Sequence, residues 1–143
     1  MIDYELARQL KEAGFPQEPF WQVDVNAWGG SWYYFFVPDG CPPMAFLAPD
    51  GYKIATGEHG YGHPIVKIHT LSELIAQVHD ISLAMPHWGR IFNLEGHWLH
   101  DFGYKANLAV VVNIEPGEEK VWEEWGQTPE EAVSLLWLSI QKK

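Results

Sequence analysis

Short runs of aromatic and β-branched residues, separated by tight turn signals, occupy much of this chain and limit the folds open to it. In the first half, Pro38-Asp39-Gly40 and Pro49-Asp50-Gly51 separate runs at residues 31–37, 44–48 and 52–56. Such residue types favour strands, and consecutive strands joined by tight turns pair in an antiparallel manner. The pattern predicts an antiparallel meander rather than a fold of βαβ crossovers.

The second half of the chain repeats this pattern after a short extended segment at residues 65–69. Glu95-Gly96 predicts a hairpin turn, and Pro116-Gly117 predicts a second turn further along. This part of the chain has four strand-like runs, at residues 90–94, 97–102, 108–114 and 120–125.

Three segments combine apolar residues at helical spacing with a residue that favours a helix start. A side-chain oxygen at the N-cap accepts a bond from a backbone N–H group, and a Glu three residues later completes a capping box. The first helix is predicted to begin after Asp3 and to end at Gly14. The other two begin at Thr70-Leu71-Ser72-Glu73 and at Thr128-Pro129-Glu130-Glu131.

The predicted order is therefore one helix, three strands, a second helix, four strands and a third helix. Strands grouped in this way indicate the α+β class. We expect a mainly antiparallel sheet of about five to seven strands with three helices packed on it. Because a length of 143 residues suits one domain, residues 1–143 are predicted to form a single α+β domain.

Charge and the distribution of apolar residues argue against several classes of partner. Nineteen Asp and Glu oppose nine Lys and Arg, which gives a formal net charge of -10. Since an acidic chain repels a phosphate backbone, we expect no direct nucleic-acid binding. The apolar runs are far shorter than the ~20 residues of a membrane helix, and the first residues lack a signal-peptide pattern. We therefore expect no membrane association and a cytoplasmic location.

Histidines are the first candidates for chemistry. His59 and His63 lie in a glycine-rich loop, while His97 and Asp101 fall on one face of a predicted strand. Neutral imidazoles and a carboxylate are ligands that Zn²⁺ or Fe²⁺ accepts, so these four residues define an alternative function as a metal-dependent hydrolase. No established metal-binding motif accompanies them, and the main expectation is a protein without a cofactor.

Aromatic residues are the second candidates, because the chain has eight Trp, six Tyr and seven Phe. Trp28, Trp32, Tyr33 and Tyr34 are suited to stacking on a sugar or a nucleobase, which would make the chain a small-ligand binding module. The simpler interpretation places the aromatic residues in the core, because Trp is mostly buried on average.

The strongest candidate for function is an acidic segment that also contains tryptophans. On a strand, alternation places one Trp and one Glu of Trp122-Glu123-Glu124-Trp125 on each face. Such a surface is suited to a basic protein partner, whereas the simpler interpretation is a solvated hairpin followed by glutamates at a helix start. The predicted partner-binding residues are Glu118, Glu119, Trp122, Glu123, Glu124 and Trp125.

Three motifs spread along the chain resemble motifs of a known group of proteins. They are the stretch from Leu10 to Gln17, Thr70-Leu71-Ser72-Glu73-Leu74-Ile75, and the segment from Gly126 to Leu138 that contains Thr128-Pro129-Glu130-Glu131-Ala132-Val133. On these motifs the chain resembles small uncharacterised proteins of bacteriophages and prophages, and its layout is similar to the phage α-β-α sandwich domain. The resemblance implies a phage origin and that fold, with no catalytic residues to transfer.

Together, these observations predict a non-enzymatic accessory protein of phage or prophage type. It would act in the cytoplasm of the host cell by binding a basic protein, and blocking a host defence system is one form of that role. The metal-dependent hydrolase and the small-ligand binding module remain the alternatives. The oligomeric state is left open.

Overall fold

The computed structural model describes residues 2–17, 30–35, 44–49, 65–97, 103–113 and 117–142. Its contacts divide the chain into two compact units, one from Ile2 to His69 and the other from Thr70 to Lys143. The α+β class with three helices is confirmed, whereas a single domain over residues 1–143 stays a prediction. The described elements are α1 (Tyr4–Glu12), β1 (Gly30–Phe35), β2 (Met44–Pro49), β3 (Ile65–Ile68), α2 (Leu71–Ala84), β4 (Gly89–His97), β5 (Gly103–Asn113), β6 (Glu118–Gly126) and α3 (Pro129–Gln141).

Local signals set both ends of α1, as predicted. The Asp3 side chain accepts a hydrogen bond from the Leu6 N–H group at 2.8 Å and caps the start of the helix. At the other end, Gly14 takes a positive φ of 94°, and the Phe15 N–H group donates to the Leu10 carbonyl at 2.9 Å. A glycine in the left-handed conformation followed by a hydrogen bond between residues five positions apart is a Schellman motif, which ends the helix without a side-chain clash.

The first unit contains an antiparallel sheet in the order β2-β1-β3. Helix α1 packs beside β3, where Val66 and Ile68 are buried. The Gln17 side-chain oxygen accepts a hydrogen bond from the Lys67 N–H group at 3.1 Å. Because an edge strand exposes unpaired backbone groups, this bond gives the Lys67 N–H group of β3 a side-chain acceptor from the same unit.

The second unit contains an antiparallel sheet in the order β4-β5-β6. Helix α3 packs on β5 and β6, and α2 packs on α3. On one face of β5 the central residues Ala106, Leu108 and Val110 are buried, as the alternation of its side chains requires. The apolar residues buried in this unit include Leu74, Val78, Ala106, Leu108, Val110, Ala132, Val133 and Leu136.

Both predicted threonine caps are confirmed in the second unit. The Glu73 N–H group donates to Thr70 Oγ1 at 3.3 Å, and the Thr70 hydroxyl donates to the Glu73 carboxylate at 3.2 Å. At the start of α3, the Glu131 N–H group donates to Thr128 Oγ1 at 3.1 Å. These bonds satisfy N–H groups that have no partner within the helix, so each helix begins where its capping residue predicts.

The expectation of one sheet with five to seven strands is wrong. Six strands are described, and they form two sheets of three strands, each within one unit. Turn signals in a sequence report which neighbouring strands pair, but they carry no information on whether two groups of strands join into one sheet. The predicted strand at residues 52–56 lies outside the described residues.

The predicted hairpin at Glu95-Gly96 is also wrong. Strand β4 continues through these two residues, and the chain reverses only after His97, which lies opposite Gly103. Glu95 pairs across the ladder with Lys105, whose Nζ atom is 3.1 Å from the Glu95 carboxylate. Glycine can continue an extended strand, so a cross-strand ion pair and a continuous ladder prevail over a weak local turn signal.

Candidate functional site

Strand β6 divides the predicted acidic and aromatic patch between the two faces of its sheet. Trp122 lies opposite the buried Leu108 and shares the face that packs against α3 with Glu124. Glu123 and Trp125 lie on the opposite face and are exposed. Because side chains alternate along a strand, the six predicted residues do not form one continuous surface.

The face of the β4-β5-β6 sheet that carries Glu123 and Trp125 is termed the outer face. Its side chains come from alternate positions on the three strands, and neighbouring strands place them in rows. Most of these side chains are exposed or half-buried. The side chains of the outer face are those of Ile91, Asn93, Glu95, Lys105, Asn107, Ala109, Val111, Glu119, Val121, Glu123 and Trp125.

An apolar row crosses the middle of the outer face. Ile91 lies opposite Ala109, which lies opposite Val121. Ile91 is 63% exposed and Val121 is 58% exposed, and Trp125, which is 50% exposed, lies further along the same face. Adjacent exposed apolar side chains of this kind mark interaction sites more often than isolated ones do.

Lys105 contacts two carboxylates and an aromatic ring at the charged end of the outer face. Its Nζ atom is 3.1 Å from the Glu95 carboxylate and 3.4 Å from the Glu123 carboxylate. The same atom lies 5.8 Å from the centroid of the Trp125 ring. The hydrogen bond with Glu95, aided by Glu123, raises the pKa of the Lys105 ammonium group.

The predicted glutamates therefore differ in how far they are available to a partner. Glu123 is paired with a lysine of its own chain, which reduces the negative charge that it presents. Glu119 lies on the outer face opposite Val111, and Glu118 lies beside it, after a register shift near the β5-β6 turn. Both are exposed, and neither has an ion pair within the part of the chain that the structure describes.

The predicted metal site falls mostly on residues that the structure does not describe. His59, His63 and Asp101 lie outside the described residues, and His97 is the last residue of β4, with only its backbone described. Among the described residues, no group of three His, Cys, Asp or Glu side chains is placed to hold a metal ion. The metal alternative stays a prediction.

The aromatic alternative is described only in part. Trp28 lies outside the described residues, and only the backbone of Tyr33 and Tyr34 is described. Trp32 is exposed on β1 in the first unit. Trp88, which no sequence pattern singled out, is exposed just before β4 in the second unit, where its backbone N–H group donates to the Val111 carbonyl at 2.8 Å.

A cavity of about 430 Å³ lies at the end of the outer face. It is lined by Gly103, Trp125, Gly126, Gln127 and Glu131. At Gly126 an added Cβ atom would lie 2.5 Å from the Ala132 backbone nitrogen, so the end of β6 approaches the start of α3 too closely for any side chain. This close approach brings Trp125 and Glu131 into the lining of one cavity.

Sequence reasoning missed the apolar row and the lysine of the outer face. In β5, Lys105, Asn107 and Ala109 alternate with buried apolar residues, so the alternation of this run is the signal that identifies an outward face. Ile91 and Val121 carry no such signal, because β-branched residues are enriched in strands and apolar residues also occur on exposed surfaces, so the residue type alone does not tell the two faces apart.

The comparisons with known proteins identify no relative. No protein-family model matches the chain, and no curated protein or solved structure is detectably similar to it. The resemblance to phage proteins therefore stays a prediction that rests on the three sequence motifs. Among the described residues, no helix has both the length and the apolar character needed to cross a membrane.

Proposed function

We propose that this chain is a non-enzymatic accessory protein of phage or prophage type that binds a basic protein through its outer face. The phage part of this proposal rests on the sequence motifs alone, and the blocking of a host defence system is one form that this function would take. The binding part rests on one observation, the apolar row of Ile91, Ala109 and Val121, in which Ile91 and Val121 are exposed and Val121 lies between Glu119 and Glu123.

The composition of the outer face supports a protein partner. Protein interfaces combine an apolar centre with a polar rim, and aromatic residues are enriched in them. On the outer face, Ile91 and Val121 provide apolar contact area, while Asn93, Asn107 and Trp125 provide hydrogen-bonding groups or a large amphipathic ring. Three antiparallel strands present these side chains on a broad surface that suits another protein.

The charge of the outer face supports a basic partner in particular. Glu95, Glu119 and Glu123 contribute three carboxylates, against one ammonium group from Lys105. The whole chain has a formal net charge of -10, so long-range attraction would act in the same direction as these local contacts. Charge complementarity of this kind mainly accelerates association and makes binding sensitive to salt.

Capture from a bacterial lysate by the immobilised chain tests this function. Val121→Lys places a positive charge in the apolar row, and Leu83→Lys makes the same change on α2, at a residue that is 54% exposed. We expect wild type and Leu83→Lys to retain a stoichiometric basic protein at about 50 mM salt and to release it near 500 mM. Val121→Lys should retain at least about five-fold less, which corresponds to a loss of about 1 kcal/mol.

Two outcomes would contradict the proposed function. One is a wild-type chain that retains no protein at low salt, and the other is equal retention by Val121→Lys and Leu83→Lys. The metal alternative has a separate test, since bound zinc or iron in the purified protein, or a higher melting temperature on addition of Zn²⁺, would favour it.

A further inference from the structure

We propose that the cavity beside Trp125 binds an arginine side chain of the partner. This inference rests on the proposed function, because it assigns a subsite next to the face that would bind the partner. The cavity, termed the Trp125 pocket, is lined by Gly103, Trp125, Gly126, Gln127 and Glu131, and its volume of about 430 Å³ lies in the range of small-ligand sites.

The chemical groups of the Trp125 pocket suit a planar cation. Its lining residues include Glu131, Gln127 and Trp125, whose side chains are a carboxylate, an amide and an indole, and no Lys or Arg is among the described lining residues. A guanidinium group can donate two parallel hydrogen bonds to a carboxylate and can also stack on an aromatic ring. An anion would meet the Glu131 charge, and a purely apolar group would leave the carboxylate and the amide without partners.

Two further observations favour a cation in this pocket. Lys105 Nζ, which lies 5.8 Å from the centroid of the Trp125 ring, is paired with Glu95 and Glu123, so its positive charge is offset by two carboxylates and does not oppose a second cation at the ring. The Glu131 carboxylate has no ion pair among the described residues, so its charge remains available.

The start of α3 also bears on the charge of the Trp125 pocket. A helix N-terminus carries about half a positive charge, which by itself would disfavour a cation. Here Thr128 Oγ1 accepts a hydrogen bond from the Glu131 N–H group. The first turn also carries two carboxylates, from Glu130 and Glu131. The full negative charge of Glu131, which lines the cavity, by itself exceeds the partial positive charge, so the balance favours a cation.

Titration of the ¹⁵N-labelled chain with N-acetyl-arginine N-methylamide tests this inference. The neutral isostere N-acetyl-citrulline N-methylamide serves as the comparison probe. We expect the arginine derivative to shift the Gln127 and Gly126 amide signals and the Trp125 indole signal. Glu131→Gln should weaken this binding by roughly three- to five-fold, as expected for loss of a solvent-exposed ion pair.

Glu130→Gln is the matched control, because it removes the same charge from the same helix turn at a residue outside the cavity lining. It should bind the arginine derivative as wild type does. Both variants keep a residue that is well tolerated in the first turn of a helix, and circular dichroism checks that they fold. Equal binding of the citrulline and arginine derivatives, or equal weakening by the two variants, would overturn the arginine site.

The two proposals fail in different ways. If the arginine derivative does not bind but capture still depends on Val121, the Trp125 pocket is wrong and the proposed function stands. If the arginine derivative binds as expected but Val121→Lys captures as much protein as Leu83→Lys, the proposed function is wrong and the pocket stands.

Discussion

The two faces of the β4-β5-β6 sheet use similar residues for different purposes. On the face under α3, Leu108 and Val110 are at most 1% exposed, whereas Ile91 and Val121 on the outer face are more than half exposed. Burial of an apolar side chain contributes free energy of folding, and an exposed one contributes little. The face that packs against α3, termed the inner face, therefore provides stability, and the outer face is available for binding.

A matched pair of valine substitutions provides the strongest test of this comparison. Val110→Ala should lower the free energy of unfolding by about 2–3 kcal/mol, because it removes buried methyl groups and leaves a cavity. Val121→Ala, on the neighbouring strand, should cost less than about 1 kcal/mol. Urea denaturation measures both values, and equal losses would show that the two faces are equally buried in solution.

A glycine substitution tests the contact between β6 and α3 that covers the inner face. Gly126→Ala would place a Cβ atom 2.5 Å from the Ala132 backbone nitrogen and 2.9 Å from the Glu131 carbonyl carbon. Since backbone atoms must move to relieve this clash, we expect a loss of about 1–3 kcal/mol in the free energy of unfolding.

Gly89→Ala is the control for this substitution, because an added Cβ atom there would have no heavy atom within 4 Å. Its effect on the urea midpoint should be small. A Gly126→Ala variant as stable as Gly89→Ala would mean that α3 does not begin against the end of β6.

The smallest expected effect concerns the ion pairs of the outer face. The folded-state pKa of Lys105 is raised, so its stabilisation is complete below the unfolded pKa of about 10.4 and is lost as the pH rises through the folded value. Wild type should therefore exceed Lys105→Met in urea midpoint by a small constant amount from pH 7 to pH 9, and the difference should shrink as the pH rises above the ordinary lysine range.

Lys120→Met serves as the control, because Lys120 is exposed and has no ion pair among the described residues. It should show no such pH-dependent difference from wild type. If the two variants gave the same pH profile, the contacts of Lys105 with Glu95 and Glu123 would not form in solution.

The helix ends were predictable from sequence because their causes are local. Asp3, Thr70 and Thr128 cap helices through bonds to residues three positions away, and Gly14 ends α1 through its own backbone conformation. Such signals depend on a few adjacent residues, so a sequence contains them in full.

The arrangement of the strands was less predictable, because it depends on distant pairs. The continuation of β4 through Gly96 depends on its partner Tyr104, and the division into two sheets depends on all the strands together. The alternation in β6 correctly separates Trp122 from Trp125, but no local signal shows that Ile91 and Val121 are exposed. The outer face could therefore be found only after the register was known.

Hydroxyl-radical footprinting of the free chain and of its complex with the captured basic protein tests the central claim most directly. In the free chain, we expect oxidation at Ile91, Val121 and Trp125 and protection of Leu108 and Val110. In the complex, the three outer-face residues should become protected while Leu83 on α2 stays reactive. Protection of Ile91 and Val121 already in the free chain, or unchanged oxidation of the outer face in the complex, would contradict the account.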